Sequence, residues 1–364
     1  MASDEVRVDL VELESFCAHI FESLGLEEKD AAIAASVLVA ADTRGIPSHG
    51  VARLPRYVYG LEIGLMRVDA EPEVLRETAS SIVVHAHGAM GAPVSVKTMA
   101  SVIRKARDVG VAMGCVRDSN HFGIAGYYAM MALEEGMLGI AMTNTAALGV
   151  PTFGREPLFG TNPIAFAAPA DAEGGFVLDM ATTVVARGKI EVYNRQGKAL
   201  PEGWAVDAQG QAATDAAEIL HNLTNQMGGG ILPLGGLGEL FGGHKGYGLS
   251  VMVDILCGVL SGAAFGPDIA DTPGSSARVG HFFGAVDVAA FRDPVAFRQD
   301  MDRLLHSLRT SAPAAGAERV YFAGLKEREH EEVCRAEGVP LARKVYDQLA
   351  IIGAAHAVAA PSVR

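Results

Sequence analysis

The sequence predicts an α/β protein with a helical amino-terminal region. Three observations carry this. From Ser80 onward, apolar runs of strand length alternate with helix-length stretches. In the first sixty residues the apolar positions recur at helical spacing instead. The 364 residues are 49% apolar, enough to bury a large core and to form two or three domains.

The elements follow in order. Leu10, Val11, Leu13, Phe16, Ile20 and Phe21 mark a first helix, with Gly25 placed to end it. "EEKDAAIAASVLVAADTRG" is a second helix closed by Gly45, and Ser48 reads as the N-cap of a third beginning after Pro47. Then come a strand ("SSIVVHAHG"), a helix ("APVSVKTMASVIRKARDVG") and a strand ("VAMGCV"). A helix ("IAGYYAMMALEEG") and a strand ("LGIAMTNT") follow. "PIAFAAPA" and "GFVLDM" are short strands, and residues 194–243 read as a glycine-rich loop. A helix at 247–261, a strand "HFFGAVDVAAF", a helix at 295–309, a strand "RVYFAG" and two helices complete the chain.

Composition narrows the function. The net charge of −13 disfavours nucleic acid and anionic membrane as partners. The apolar stretch from Leu249 to Gly266 contains Asp254 and several glycines, which points to a buried helix rather than a membrane span. The amino terminus lacks the pattern of a signal peptide. Cys17, Cys115, Cys257 and Cys334 are scattered and form no metal or redox motif, as expected of reduced thiols in the cytoplasm. Two nucleotide motifs fail. His244 stands where a P-loop needs lysine, and Phe241 where the dinucleotide fingerprint needs its third glycine.

Several constellations carry chemistry. Residues 43–57, "TRGIPSHGVARLPRY", concentrate Ser48, His49, Arg53, Arg56 and Tyr57 in an acidic chain. On one helix, His49, Arg53 and Tyr57 would share a face: a titrating imidazole, a two-pronged carboxylate binder and a phenol. Ordinary surface ion pairs would explain the arginines as well. In "DSNHFGIAGYY", Asn120 and His121 follow a strand, where α/β sheets place ligands; a histidine satisfied by local backbone is the alternative. His85 and His87 would lie on one strand face, but no third ligand is adjacent, and no metal is expected. Lys245 at a helix start suits a phosphate, and Asp179 at a strand end suits ribose hydroxyls or a turn.

Together these segments resemble one family. S-H-G-x-x-R (48–53) with Tyr57, N-H-F-G (120–123), T-N (143–144) and G-T-N-P (160–163) are similar to its signature. So are L-D-M-A-T (178–182), L-P-L-G-G (232–236) and H-K-G-Y-G (244–248). The family is the second-type malate/L-lactate dehydrogenases, which includes ureidoglycolate and sulfolactate enzymes. The resemblance covers roughly residues 10 to 350. It implies a non-Rossmann, multi-domain α/β fold with a mixed sheet, an NAD or NADP cofactor, and a homodimer or an assembly of dimers.

By position, the resemblance implies that His49 and His121 are the acid–base pair, with the proton-exchanging member open between them. It assigns Ser48, Arg53, Tyr57 and Asn120 to the substrate. It assigns Asn144, Thr145, Asp179, Met180, Ala181, His244 and Lys245 to the cofactor. "AGLKERE" (323–329) departs from a proline–glycine–glutamate turn of many relatives, so no contact is implied at Gly324 or Lys326. The expected organisation is a helical domain over 1–75 joined by helices in 325–364. A substrate-side domain would span 76–122 plus 295–324, and a cofactor-binding domain 123–294.

The expected reaction is hydride transfer between NAD(P) and a small 2-hydroxy or 2-oxo acid. Malate/oxaloacetate and L-lactate/pyruvate lead, with ureidoglycolate or sulfolactate as alternatives. Arg56 or Arg187 would meet a second carboxylate, and a carboxylate near the ribose would favour NAD. Two rivals are a metal-dependent hydrolase using His49, His85, His87 and His121, and a non-catalytic sensor of small molecules.

Overall fold

The computed structural model describes residues 5–270 and 276–364. Strand β1 (Glu5–Val8) leads into α1 (Leu10–Ser23) and α2 (Glu28–Thr43). Asp9 caps α1 by accepting from Val11 and Glu12 backbone N–H groups. Gly25 follows the helix at φ +97°, a conformation that costs glycine little. Helix α3 begins later than expected, at Leu54–Glu62, with Pro55 in its first turn. Proline fits that turn because its missing N–H has no partner there anyway. Ser48 therefore caps nothing, and residues 47–53 form a turn and a single 3₁₀ segment.

The central sheet starts with β2 (Glu73–Glu77), an exposed edge strand, and β3 (Ser81–His85). His87 lies beyond the strand at φ +52°, so His85 and His87 do not share a strand face as expected. Helix α4 (Gly91–Val109), β4 (Val111–Ser119), α5 (Ala125–Glu134) and β5 (Leu138–Thr143) follow, as the alternating pattern predicts. Strands β6 (Ile164–Ala168) and β7 (Phe176–Met180) form a hairpin-like edge.

Residues 194–243 are not one loop. Helix α6 (Arg187–Arg195), β8 (Ala205–Val206), β9 (Ala212–Ala213), α7 (Ala216–Asn225) and β10 (Gly230–Ile231) make a small lobe. Its core holds Ile190, Leu200, Ile219 and Ile231, and Asp215 caps α7. Helix α8 (Gly243–Asp254) starts four residues before the expected position and widens to a π-turn at Ile255–Val259.

The chain closes with β11 (Val279–Val286), α9 (Pro294–Arg309), α10 (Leu325–Glu337), β12 (Val339–Ala342) and α11 (Arg343–Ala355). "RVYFAG" forms no strand; it touches the sheet through one backbone bond, from Val177 N–H to the Ala323 carbonyl at 3.0 Å.

The seven-stranded sheet has the order β2-β3-β4-β11-β5-β6-β7. Only β3 and β4 pair in parallel, joined by the α4 crossover, so the sheet is mixed. Helices α4 and α5 cover one face, where Met99, Val102, Phe122, Tyr128 and Phe283 pack. The α8 segment covers the other face through Val253 and Cys257. A separate core joins α1, α2 and α3 to Cys334, Leu341 and Leu349 of the carboxy-terminal elements. The sheet draws strands from both sides of residue 122, where a domain boundary was expected. The placement of β11 matters most for function. It runs antiparallel to β4 and β5, so both neighbours end at the same sheet edge.

Candidate active site

That edge presents Asn120 and His121 after β4, and Asn144 and Thr145 after β5. The loop between α2 and α3 brings the other half of a side-chain cluster to His121. The Tyr57 hydroxyl lies 2.5 Å from His121 Nδ1, and the His49 ring stacks on the His121 ring with centroids 5.5 Å apart. His49, His121 and Tyr57 thus converge, although His49 and Tyr57 do not lie on one helix. Ser48 Oγ bonds His49 Nδ1 at 2.9 Å, and Arg53 Nε donates to the Ser48 carbonyl at 2.7 Å. Both bonds fix the turn that carries His49.

The loop is anchored from below by a residue that sequence reasoning did not single out. Asp42, buried in α2, accepts from Val51 N–H at 2.7 Å. A Cβ at Gly50 would fall 2.1 Å from the Asp42 carboxylate, so only glycine permits this approach. Burial pushes the Asp42 carboxyl up to about 7. A charged residue inside the apolar run "SVLVAADTRG" was the available signal.

Hydrogen bonding assigns the resting tautomer of His121. Gly123 N–H donates to Nδ1 at 3.3 Å, so Nδ1 is an acceptor and Tyr57 donates to it. The neutral ring then carries its hydrogen on Nε2, which has no hydrogen-bond partner among the described residues. Burial holds His121 well below the ordinary histidine range, and the charges of His49, Arg53 and Arg56 add to this. Burial, with Arg53, lowers His49 to about 4. Both imidazoles are therefore neutral at pH 7 in the ligand-free chain. An anion held by Arg53 would make the charged form easier to reach.

Asn120 is buried, with its amide donating to the Gly88 and Ala89 carbonyls at 2.9 and 2.8 Å. It braces the His121 loop. Arg187, one of the two arginines considered for a second carboxylate, is tied to Glu191 at 3.1 Å and to Thr224 at 3.3 Å. The charge of Arg56 is felt by Arg53 and His121. Glu191 also acts on Arg53, which sets α6 beside the cluster.

The cofactor-side positions behave differently. Asn144 is fully buried; its amide donates to Asp254 Oδ1 at 3.3 Å and to the Ala264 carbonyl at 3.0 Å, and its oxygen accepts from Gly280 N–H at 2.8 Å. Asn162 donates to Asp254 Oδ2 and to the Ser250 carbonyl, both at 3.0 Å, and accepts from Thr145 N–H at 3.2 Å. Thr182 and Ser250 join this network through a 2.7 Å hydroxyl bond. Asp179 accepts from Gly126 N–H at 2.7 Å. It thereby caps α5, whose own N-cap Ile124 has no side chain able to do so. Burial raises Asp179 to about 6. Met180 and Ala181 continue the β7 end and are half-buried.

His244 and Lys245 are exposed in the first turn of α8. No side chain caps that turn and no acidic residue stands in it. A Cβ at Gly243 would lie 2.1 Å from the Gly236 carbonyl, and one at Gly246 2.1 Å from that of Leu234. The glycines therefore let the 234–238 loop seat against the helix start. A positive helix end beside a lysine is a donor set that fits a phosphate-bearing cofactor.

The histidines do not assemble as a metal-dependent hydrolase would need. His85 and His87 stack on each other with centroids 3.9 Å apart and face Asp118 and Glu73, whereas His49 pairs with His121.

The chain is similar to known proteins over nearly its whole length. The family model described as malate/L-lactate dehydrogenase matches residues 8–350. Malate dehydrogenase of Pyrococcus horikoshii is 43% identical over 344 residues, covering 94% of each chain. Malate/(S)-sulfolactate dehydrogenase of Methanothermus fervidus is 37% identical, over 92% of this chain and 94% of that one. The crystal structure of malate dehydrogenase from Entamoeba histolytica superposes with a TM-score of 0.93 at 34% identity, covering 97% of this chain and 99% of that chain.

Proposed function

The chain belongs to the malate/L-lactate dehydrogenase family, and from that premise we propose that it interconverts malate and oxaloacetate, with NAD as the preferred cofactor. The observation that carries the proposal is the convergence of Tyr57, His49 and His121 beside Arg53. A bound nicotinamide would supply or accept the hydride. His244, Lys245 and the first N–H groups of α8 would hold its phosphates, and Thr145, Met180 and Ala181 would line its cleft. Asn144 and Asp179 would serve that cleft from behind, through the backbone they brace.

The residues of this chain supply the rest. Arg53 binds the substrate carboxylate with two parallel hydrogen bonds and orients the reactive carbon. Arg56, whose charge acts on both Arg53 and His121, meets the second carboxylate. His121 is the proton-exchanging residue. During reduction the ring works as imidazolium: its Nε2 proton passes to the oxygen that becomes the hydroxyl, leaving a neutral ring with its hydrogen on Nδ1. The phenol of Tyr57 both donates and accepts, so it follows either protonation state at Nδ1. During oxidation the neutral ring with its hydrogen on Nδ1 accepts the hydroxyl proton at Nε2. His49 packs against the ring and, through Ser48, keeps it in place.

Related proteins act on malate and on sulfolactate by name, and both substrates pair a carboxylate with a second anion. NAD is favoured over NADP because a related enzyme, ureidoglycolate dehydrogenase of Escherichia coli, is NAD-dependent by name. A homodimer is part of the same proposal: Phe153, Leu240 and Phe241 are each more than 80% exposed, an apolar surface suited to a second copy. The site is proposed to work in the cytoplasm, in line with four free, buried cysteines.

The test is a panel of 2-oxo acids with NADH and NADPH, followed by loss of absorbance. Oxaloacetate with NADH should give the highest kcat/KM. Preference for pyruvate would remove Arg56 from the substrate site, and preference for NADPH would overturn the cofactor assignment.

A further inference from the structure

One enclosed side chain stands where the two halves of this site meet. His281 lies near the start of β11 and is fully buried. Its Nδ1 is 2.8 Å from Thr143 Oγ1, at the end of β5, and its Nε2 is 2.9 Å from Ser119 Oγ, at the end of β4. One strand end leads into His121 and the other into Thr145. The partners also assign the tautomer. Thr143 Oγ1 sits 2.9 Å from the Gly280 carbonyl and 3.1 Å from the Asn144 carbonyl. Neither carbonyl can donate, so the single threonine hydrogen points at one of them. Thr143 then accepts from His281 Nδ1–H, and Nε2 faces the Ser119 hydroxyl.

The ring also lies flat on Phe122, with centroids 4.4 Å apart and planes 7° apart. Phe122 directly follows His121, and Tyr128 holds its carbonyl. A buried imidazole gives up its hydration, and here both strand ends supply a hydroxyl that offsets the loss. An apolar residue would fill the space between the strands without linking their ends.

We propose that His281 is a positioning residue that sets the separation between His121 and the cofactor-side strand end, a role that rests on the dehydrogenase reading above. Being enclosed, it acts through Ser119, Thr143 and Phe122 and not on the reacting atoms. A shift of about 1 Å at a reacting centre lowers a rate by roughly 100-fold. Without the two bonds the strand ends would be held to each other by their backbone pairing with β11 alone.

The test compares His281→Phe, which keeps the ring stack and removes both bonds, with His281→Asn, which keeps a donor near Nδ1. His281→Phe should lower kcat by roughly 30- to 100-fold, with KM for the 2-oxo acid and NADH affinity within about threefold of wild type. The primary deuterium isotope effect on kcat, measured with NADH deuterated at the transferred position, should rise as hydride transfer becomes slower than product release. His281→Asn should recover roughly tenfold of the loss. A general structural role would reduce the amount of active enzyme without moving the isotope effect. A folded His281→Phe enzyme with wild-type kcat, or with lowered kcat and an unchanged isotope effect, overturns the proposal. Should His281→Phe fail to fold, Thr143→Val and Ser119→Ala each remove one bond, and an unchanged isotope effect in both overturns it equally. Wild-type protein that oxidises neither cofactor with any 2-oxo acid overturns both this role and the dehydrogenase reading. An active wild type with an indifferent His281→Phe overturns this role alone.

Discussion

The two strand ends at the sheet edge carry equally recognisable motifs and use them in opposite ways. After β4, and in the loop facing it, titratable groups meet one another: Tyr57 on His121, His49 stacked beside them, Arg53 close enough to depress both imidazoles. After β5, the motif residues turn inward. Asn144 and Asn162 share the two oxygens of Asp254, and Thr182 bonds Ser250. The first region keeps reactive atoms, above all His121 Nε2, without a hydrogen-bond partner among the described residues. The second leaves its backbone and its exposed helix turn to face a ligand and satisfies its side chains internally. Family motifs therefore mark two different jobs, chemistry on one side and the shape of a cleft on the other.

The contrast can be broken most forcefully on the inward side. Asp254→Ala removes the acceptor shared by two buried amides. Each unsatisfied amide costs about 1–3 kcal/mol, so the variant should lose about 2–6 kcal/mol of stability in denaturant unfolding. The folded fraction should still turn over. A stability change below about 0.5 kcal/mol would show that the network is not structural.

On the outward side, Arg53→Lys replaces a two-pronged donor by a point charge. KM for the 2-oxo acid should rise roughly 10- to 100-fold, with kcat changed less and thermal stability nearly constant. An unchanged KM would take Arg53 out of the substrate site.

A smaller effect sharpens the electrostatic part. Both imidazoles are held below the ordinary histidine range, so they stay neutral as pH falls through 6.5. Oxidation of the hydroxy acid needs the neutral ring, so its kcat/KM at saturating cofactor should stay flat from pH 8 to about 5.5. Reduction needs the proton, so its kcat/KM should climb as pH falls over the same range. An acid limb in the oxidation profile near pH 7 would mean that the working base is not buried in the way His121 is.

Much of this was legible in the chain. The alternation from β3 to β5 is regular, and local period suffices to read it. The grouping of His49, Arg53, Tyr57 and His121 was legible through motif spacing, although the geometry was not. Pro55 sets the start of α3, so the residues meet across a turn and not along one helix face. The lobe at 187–231 was obscured by surrounding glycines, even though Ile219 and Leu223 in α7 have helical spacing. What sequence could not supply was partnership at long range. Asp42 acts on Val51, Asp179 on Gly126, and His281 on Ser119 and Thr143. In each case a polar residue in an apolar run was visible, but its partner was set by the fold.

The most direct measurement is turnover of NADH with oxaloacetate by His121→Asn, alongside NADH binding and thermal unfolding of the same sample. The expected result is a fall in kcat of roughly 10³-fold, with NADH affinity and unfolding temperature close to wild type. A His121→Asn enzyme that keeps kcat within about threefold of wild type contradicts the assignment of chemistry to this side of the sheet edge.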